Sequence, residues 1–223
     1  MLNPKKRGSM KVLGIDEAGR GALVGPLVVG GFMVDESLLS ELKEAGVTDS
    51  KLLSRAKRAE LYSLLKSRGE YKTIKISPQE IDMKNKVGVN LNQLEISKMI
   101  MIINELKPDV VYIDCPSHNE AKIKSLFEAE VSCKVVCENK ADLNYTIVGA
   151  GSIMAKHERD EAISALEASL KTVIGLGYPG DERTIAFARK ALKNKDWLIH
   201  VRHSWETFQR LKGEQEQMKL GDY

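Results

Sequence analysis

Short apolar segments alternate with helical patterns through most of the chain, and this alternation constrains the fold more than any other feature. The segments are rich in Val and Ile and too short for stable helices, so they predict β-strands. They cover residues 11–15, 24–34, 71–76, 109–114 and 132–137. Strands that alternate with helices favour an α/β fold, in which helices cover a sheet. From Asp142 onward the pattern is almost entirely helical, which predicts a helical C-terminal subdomain.

Two capping-box patterns mark predicted helix starts. Residues 77–80 (SPQE) combine such a box with a proline at the first helical position, and residues 117–120 (SHNE) form a second box. Further amphipathic patterns predict helices over residues 36–45, 54–67 and 90–106.

The composition of the 223-residue chain excludes several classes of protein. The net charge is only +3, so any cationic surface that binds nucleic acid must be confined to one part of the protein. The most apolar run, residues 22–34, is too short to cross a membrane. Three cysteines without a secretory signal predict reduced thiols in a cytoplasmic protein. Cys133 and Cys137 could form half a metal site, but ordinary strand thiols are the better interpretation.

The segment GIDEAGRGALVGP, residues 14–26, places two acids directly before a Gly-Arg-Gly turn. Glycine-rich turns after a strand often bind phosphate, but two common phosphate-binding motifs do not fit. A Walker loop requires Lys and a hydroxyl residue where this chain has Arg20 and Gly21. A dinucleotide-binding motif that begins at Gly19 would require a glycine at Val24. The acids therefore need a different explanation.

Other acids occupy the same kind of position in the chain. Asp16 and Glu17 end the first strand, Asp114 ends another, and Asp142 follows a third by a short link. If these strands are neighbours, the four carboxylates meet. Two carboxylates about 4 Å apart repel by several kcal/mol at an effective dielectric constant near 20, so such a cluster requires protonation or a cation. Oxygen ligands select hard ions, which predicts Mg²⁺ or Mn²⁺ and, through the metal, a phosphate-containing substrate.

Each acid also has a simpler interpretation. An acid at a strand end is commonly a turn or cap residue, and Asp142 alone would most often be a helix N-cap. The metal site is predicted by the joint pattern of the four acids. In that site the glycine turn would let the backbone approach a sugar and phosphate, and Arg20 would supply a positive charge.

Seven motifs in order resemble ribonuclease HII, the type 2 ribonuclease H, and most closely its archaeal branch. They are GIDEAGRG (14–21), DSKLL (49–53), YID (112–114), NKAD (139–142), SIMAKHERD (152–160), GYPGD (177–181) and RHSW (202–205). The resemblance covers nearly the whole chain from Met10 onward. It implies a ribonuclease H-like mixed sheet flanked by helices, with a helical C-terminal subdomain.

The resemblance also implies an activity. The family hydrolyses the RNA strand of RNA–DNA hybrids and cuts 5′ to single ribonucleotides embedded in duplex DNA, leaving 5′-phosphate and 3′-hydroxyl ends. Its four catalytic, metal-binding acids correspond to Asp16, Glu17, Asp114 and Asp142. In its two-metal scheme, one ion activates the attacking water and the other stabilises the leaving 3′ oxygen.

Substrate contacts follow from the same resemblance. The 2′-hydroxyl distinguishes RNA from DNA at the sugar. The resemblance implies that the turn of Gly19, Arg20 and Gly21 contacts this hydroxyl together with the hydroxyl of Tyr178, while the Tyr178 ring packs on the neighbouring deoxyribose. Lys51 is implied to contact the phosphate backbone.

Four positions depart from the family pattern. Asn139 stands where His is frequent, Gly151 where Ala is frequent, His157 where an apolar residue is usual, and Gly180 where Ser is common. None removes a carboxylate, so activity is still expected. We interpret His157 as a surface helix residue.

The domain organisation expected from these observations has four parts. Residues 1–9 form a tag or disordered tail, residues 10–179 a ribonuclease H-like catalytic domain, residues 180–216 the helical subdomain, and residues 217–223 a tail. In that tail, Gln217, Leu220 and Tyr223 have the spacing of peptides that dock on the sliding clamp as a short helical turn.

Two alternatives remain open at this stage. Another metal-dependent nuclease of the same fold, such as a junction resolvase or exonuclease, would also use an acid cluster, but it would have no reason to discriminate between sugars. A non-catalytic adaptor for hybrid duplex and clamp would gain only repulsion of nucleic acid from the four acids. We expect a monomer with no membrane contact.

Overall fold

The computed structural model describes residues 9–47 and 53–221. Within them, five strands form one sheet in the order β3-β2-β1-β4-β5. Their bounds are β1 Lys11–Ala18, β2 Leu27–Asp35, β3 Glu70–Ile76, β4 Val110–Asp114 and β5 Lys134–Glu138. β4 runs parallel to both β1 and β5, with Ile15 opposite Ile113 and Asp114 opposite Glu138. Parallel neighbours end at the same edge of a sheet, so the acids at the ends of β1 and β4 are brought together.

Helices account for most of the remaining described residues, and the predicted α/β class with a mixed sheet flanked by helices is confirmed. After a short 3₁₀ helix, Glu36–Leu38, they are α1 Leu39–Glu44, α2 Arg55–Arg68, α3 Pro78–Lys86, α4 Leu91–Leu106, α5 Glu120–Glu128, α6 Ala141–Asn144, α7 Thr146–Leu170, α8 Glu182–Ala191, α9 Lys195–Leu198 and α10 Glu206–Gly221. No helix of the described ranges is both long enough and apolar enough to span a membrane.

The two predicted capping boxes have different outcomes. At α3 the hydroxyl of Ser77 accepts the backbone N–H of Glu80 at 3.1 Å, as the sequence predicts. At α5 the N-cap is Asn119, which accepts the backbone N–H of Lys122 at 3.2 Å, so the cap predicted at Ser117 is wrong. The reason is that Glu120, the acid of the predicted box, binds Asn139 instead.

Two compact units are built from interleaved parts of the chain. Of the described residues, the first comprises 9–16, 30–47, 53–72 and 99–154, and the second comprises 17–29, 73–98 and 155–221. The first unit has a core under β1 that includes Val12, Phe32 and Leu65, which are all buried. The core of the second unit lies around Phe187, Ile163 and Leu211. The predicted boundary near residue 180 stays a prediction.

In the first unit, the start of α7 lies directly against β1. A Cβ atom added at Gly14 would lie 2.0 Å from the backbone oxygen of Ile147, and one added at Gly151 would lie 2.5 Å from the oxygen of Gly14. The two glycines therefore allow backbone-to-backbone contact two residues before Asp16. This contact also gives a physical reason for glycine at position 151, one of the departures from the family pattern.

We predict that Gly14→Ala destabilises the protein by about 3 kcal/mol or more, because the new methyl group meets backbone that cannot rotate away. The free energy of unfolding from denaturant titration measures this. Gly213→Ala in α10 is the matched control, since no atom lies within 4 Å of its added Cβ. We expect that change to be neutral or to stabilise by up to about 1 kcal/mol. Equal effects of the two changes would contradict the proposed packing.

Candidate active site

Three of the four predicted acids meet in the first unit. Asp16 of β1, Asp114 at the end of β4 and Asp142 in the first turn of α6 each place a carboxylate oxygen within 4.8 Å of the others. Asp16 is 5% exposed and Asp142 is 3% exposed, so solvent screens the cluster poorly. Asp114 is half-buried. The joint pattern of strand-end acids predicts that four carboxylates meet, and three of them do. Their role as metal ligands stays a prediction.

Local backbone geometry brings Asp142 to the strand ends. Lys140 adopts a left-handed conformation with φ of 60°, which turns the chain sharply after β5. The backbone N–H of Ala141 then donates to Oδ1 of Asp114 at 3.0 Å. Asp142 therefore lies inside the first turn of α6, and the isolated interpretation as an N-cap is wrong, because Lys140 occupies that position.

The ligand atoms at the cluster are all carboxylate oxygens, which suits a hard divalent cation such as Mg²⁺ or Mn²⁺. Carboxylates this close repel one another strongly when ionised, and a bound cation removes that repulsion. Among the residues that the structure describes, the cysteines do not join a group of possible metal ligands.

Glu17 is the next residue of β1 and is half-buried. It belongs to the second unit, whereas the three clustered aspartates belong to the first. Its place among the metal ligands stays a prediction.

Three hydrogen bonds that the sequence did not predict stabilise the link between β5 and α6. The Tyr145 hydroxyl donates to Glu138 at 2.9 Å, and this hydrogen bond raises the pKa of Tyr145. The backbone and side-chain N–H groups of Asn139 both donate to Glu120, and they lower the pKa of that carboxyl. Asn139 therefore has a structural role here.

In the second unit, the Gly-Arg-Gly segment forms a tight turn. Gly19 has φ of 88°, and its oxygen accepts the N–H of Ala22 at 3.1 Å. The N–H groups of Leu23 and Val24 both donate to the oxygen of Gly177, at 2.8 and 3.0 Å. The chain just after the Gly-Arg-Gly turn is thus hydrogen-bonded to the residue that precedes Tyr178, the other predicted substrate contact.

Arg20 has a partner that the sequence analysis missed. Its guanidinium forms an ion pair with the fully buried side chain of Glu95 and a hydrogen bond with Asn92, both on α4. The positive charge expected to face a phosphate is therefore largely neutralised by Glu95. A glutamate between the apolar Leu94 and Ile96 was the available sequence signal, because a buried acid requires a partner.

Arg202, from the RHSW motif, is buried and hydrogen-bonds to the backbone of the same turn. Its guanidinium donates to the oxygen of Arg20 at 2.9 Å and to that of Gly25 at 3.2 Å. It also lies over the ring of Trp205, 4.9 Å from its centroid. Arg202 is completely buried, and this burial lowers its pKa to about 9.

The other predicted site residues are placed as follows. Gly21 and Tyr178 are exposed in the second unit. His157 is half-buried on α7. Gln217 is exposed on α10, which continues through Leu220 to Gly221. Lys51 and Tyr223 lie outside the described residues.

Comparison with known proteins decides the family. The sequence model of ribonuclease HII matches residues 13–208 of this chain. The chain belongs to the ribonuclease HII family. Curated ribonuclease HII relatives include that of Methanosphaera stadtmanae, 38% identical over 202 residues that cover 90% of this chain and 94% of the relative. That of Pyrococcus furiosus is 38% identical over 208 residues, covering 91% of each.

Solved structures support the same conclusion. The ribonuclease H2 of Pyrococcus horikoshii superposes with a TM-score of 0.84 at 36% identity, covering 92% of this chain and 98% of that one. The ribonuclease HII in a complex with PCNA from Archaeoglobus fulgidus has a TM-score of 0.82 at 32% identity, and the match covers 88% of this chain and 96% of that one. The predicted ribonuclease H-like fold is confirmed. The chain is an endoribonuclease of a metal-dependent family that cleaves the RNA strand of RNA–DNA hybrids.

We predict that Mn²⁺ at about 100 times its Kd stabilises the protein by about 3 kcal/mol, because binding to the folded state alone adds free energy of unfolding. Asp142→Asn should lose most of this gain. Without metal it should be at least as stable as the parent, since one source of repulsion is gone.

Denaturant titration with and without Mn²⁺ measures both effects. Asp196→Asn, which changes an exposed carboxyl in α9, is the control and should keep the full metal-dependent gain. Equal stabilisation of all three proteins would place the metal elsewhere.

Proposed function

We propose that this chain cuts duplex DNA on the 5′ side of a single embedded ribonucleotide, as well as the RNA strand of hybrids, and leaves 5′-phosphate and 3′-hydroxyl ends. The observation that carries the proposal is the cluster of Asp16, Asp114 and Asp142, with oxygens within 4.8 Å of one another. Family membership supports it.

Asp16, Glu17, Asp114 and Asp142 would hold the divalent ions, Mg²⁺ or Mn²⁺. Ions bound there would activate the attacking water and stabilise the leaving 3′ oxygen. The protein's own contribution is to keep the carboxylates in place. The N–H of Ala141 does this for Asp114, and the first turn of α6 does it for Asp142.

Recognition of the ribose rests on the turn at Gly19–Gly21 and on Tyr178. No atom lies within 4 Å of a Cβ added at Gly21, so this exposed position leaves room for a ligand to approach the backbone. Arg20 contributes mainly through its backbone, because its guanidinium is engaged by Glu95. Lys51, outside the described residues, would contact the phosphate backbone.

The deciding experiment uses a DNA duplex that contains one ribonucleotide. We expect metal-dependent cutting on its 5′ side, with a rate that falls by at least about 10³-fold in Asp16→Asn. Asp196→Asn should cut normally. Product ends are identified by whether a ligase joins them and a phosphatase changes their mobility.

Two outcomes would overturn the proposal. Binding without cutting in Mg²⁺ or Mn²⁺ would favour the adaptor. Equal cutting of the all-DNA duplex would favour a nuclease that does not discriminate between sugars.

We also propose that the C-terminal segment docks on a sliding clamp through Gln217, Leu220 and Tyr223. Gln217 is exposed on α10, and the backbone of that helix continues through Leu220 to Gly221. The Archaeoglobus fulgidus relative has been solved as a complex with PCNA, which supports the proposal.

Substitution of Leu220 or Tyr223 by Ala should weaken binding to the clamp of the same organism about tenfold or more, since apolar anchors dominate such interfaces. Calorimetric titration measures this. Lys212→Ala, on the same helix, is the control and should bind like the parent. Unchanged binding in both variants would remove the docking proposal, whereas nuclease activity should be unaffected throughout.

Finally, we propose that the chain acts as a monomer in the cytoplasm. Its three free cysteines suit a reducing compartment. Light scattering after gel filtration should give a mass near 24.8 kDa, and a value near twice this would contradict the monomer.

A further inference from the structure

Arg159, in the SIMAKHERD motif, is a buried cation in the second unit. It lies on α7 and is only 5% exposed. A buried guanidinium is costly unless its N–H groups and charge are engaged, so its surroundings show what it holds in place.

One face of the guanidinium meets the loop that carries Tyr178. The guanidinium carbon lies 4.5 Å from the centroid of the Tyr178 ring, and Nη2 donates to the oxygen of Leu176 at 2.9 Å. A cation over an aromatic face is attractive, and more so where water is excluded. The ring of Tyr178 therefore has one face covered by Arg159, which leaves the opposite face and the hydroxyl edge for a ligand.

The same side chain also packs against both glycine turns. A Cβ added at Gly19 would lie 2.4 Å from Nε of Arg159, and one added at Gly177 would lie 2.6 Å from Nη2. Both glycines have positive φ, 88° and 79°. Glycine is required at both positions by the positive φ and by backbone, since an added Cβ would lie 2.8 Å from the oxygen of Pro26 or of Val24, and the missing side chains let Arg159 lie against both turns. Gly21 differs, because its missing side chain leaves open space.

Arg202 does not duplicate this contact. It donates hydrogen bonds to the backbone oxygens of Arg20 and Gly25, which follow Gly19 in the chain. Among the contacts of the described residues, Arg159 is the side chain that touches Gly19, Gly177 and Tyr178 together.

We propose that Arg159 is a positioning residue for sugar discrimination. By supporting the Gly19 turn and one face of the Tyr178 ring, it sets the spacing between the backbone and the hydroxyl that recognise a ribose. This inference rests on the proposed function, because it concerns how the same site distinguishes ribose from deoxyribose. Arg159 acts through these groups and does not itself contact the substrate.

The test compares kcat/KM on two duplexes that differ only by one 2′-hydroxyl. The ratio of the two values measures discrimination and does not change when a variant merely contains less folded enzyme. Arg159→Met should lower the ratio about tenfold to a hundredfold, since small displacements of positioning groups have effects of that size. Arg159→Lys keeps the charge but loses the planar guanidinium, so its ratio should lie between those of Arg159→Met and the parent.

Two further variants make the experiment decisive. Arg210→Met, which removes an exposed arginine of α10 paired with Glu214, should leave the ratio unchanged. Tyr178→Leu should lower the ratio, and adding Arg159→Met to it should lower it little further, because coupled residues are not additive. If Arg159→Met does not fold, the Lys variant, alone and combined with Tyr178→Leu, gives the same comparison.

The outcomes separate this inference from the function on which it rests. A parent enzyme that does not discriminate between the two duplexes contradicts the proposed function itself. A parent that discriminates, with the same ratio in the Arg159 variants, overturns the role of Arg159. Additive effects of the Arg159 and Tyr178 changes would show that Arg159 does not act through the ring.

Discussion

The mutual repulsion of three clustered carboxylates, two of them buried and one half-buried, is the constraint on which the first unit depends. Asp16, Asp114 and Asp142 lie within reach of one ion, and two of them are almost inaccessible to water. Folding must hold these charges together, and it does so with backbone: parallel β1 and β4 end side by side, and Ala141 donates to Asp114. The contact between Gly14 and Ile147 brings α7 against β1 next to the cluster. A divalent cation at the cluster would remove this repulsion.

The second unit must hold the exposed backbone at Gly21 and the exposed ring of Tyr178 in a fixed arrangement. Three arginines do this, of which Arg159 and Arg202 are buried and Arg20 is partly exposed. Arg202 binds the oxygens of Arg20 and Gly25, Arg159 packs against Gly19 and Tyr178, and Arg20 is bound by Glu95. The two buried arginines would be costly to bury alone, and each is stabilised by the oxygens or the ring that it contacts.

The sequence predicted the parts of this architecture that depend on local order along the chain. The existence and order of the five strands, the start of α3 and the meeting of Asp16 with Asp114 and Asp142 follow from periodicity, capping and the rule that parallel strands end at one edge. The contacts of Arg20 with Glu95, 75 residues away, and of Arg202 with Gly25, 177 residues away, could not be predicted from local patterns. The cap at Asn119 was missed for the same reason, because the acid of the Ser117 box binds Asn139.

The central claim is that metal ions bound to the acid cluster contact the phosphate that is cleaved. The most direct measurement replaces one non-bridging oxygen of that phosphate with sulfur, in each stereoisomer, and compares cutting in Mg²⁺ and in Mn²⁺. Because Mg²⁺ binds sulfur poorly and Mn²⁺ tolerates it better, the account predicts that one isomer is cut slowly in Mg²⁺ and that Mn²⁺ restores its rate. Equal rates for oxygen and sulfur in both metals would contradict direct contact between metal and phosphate.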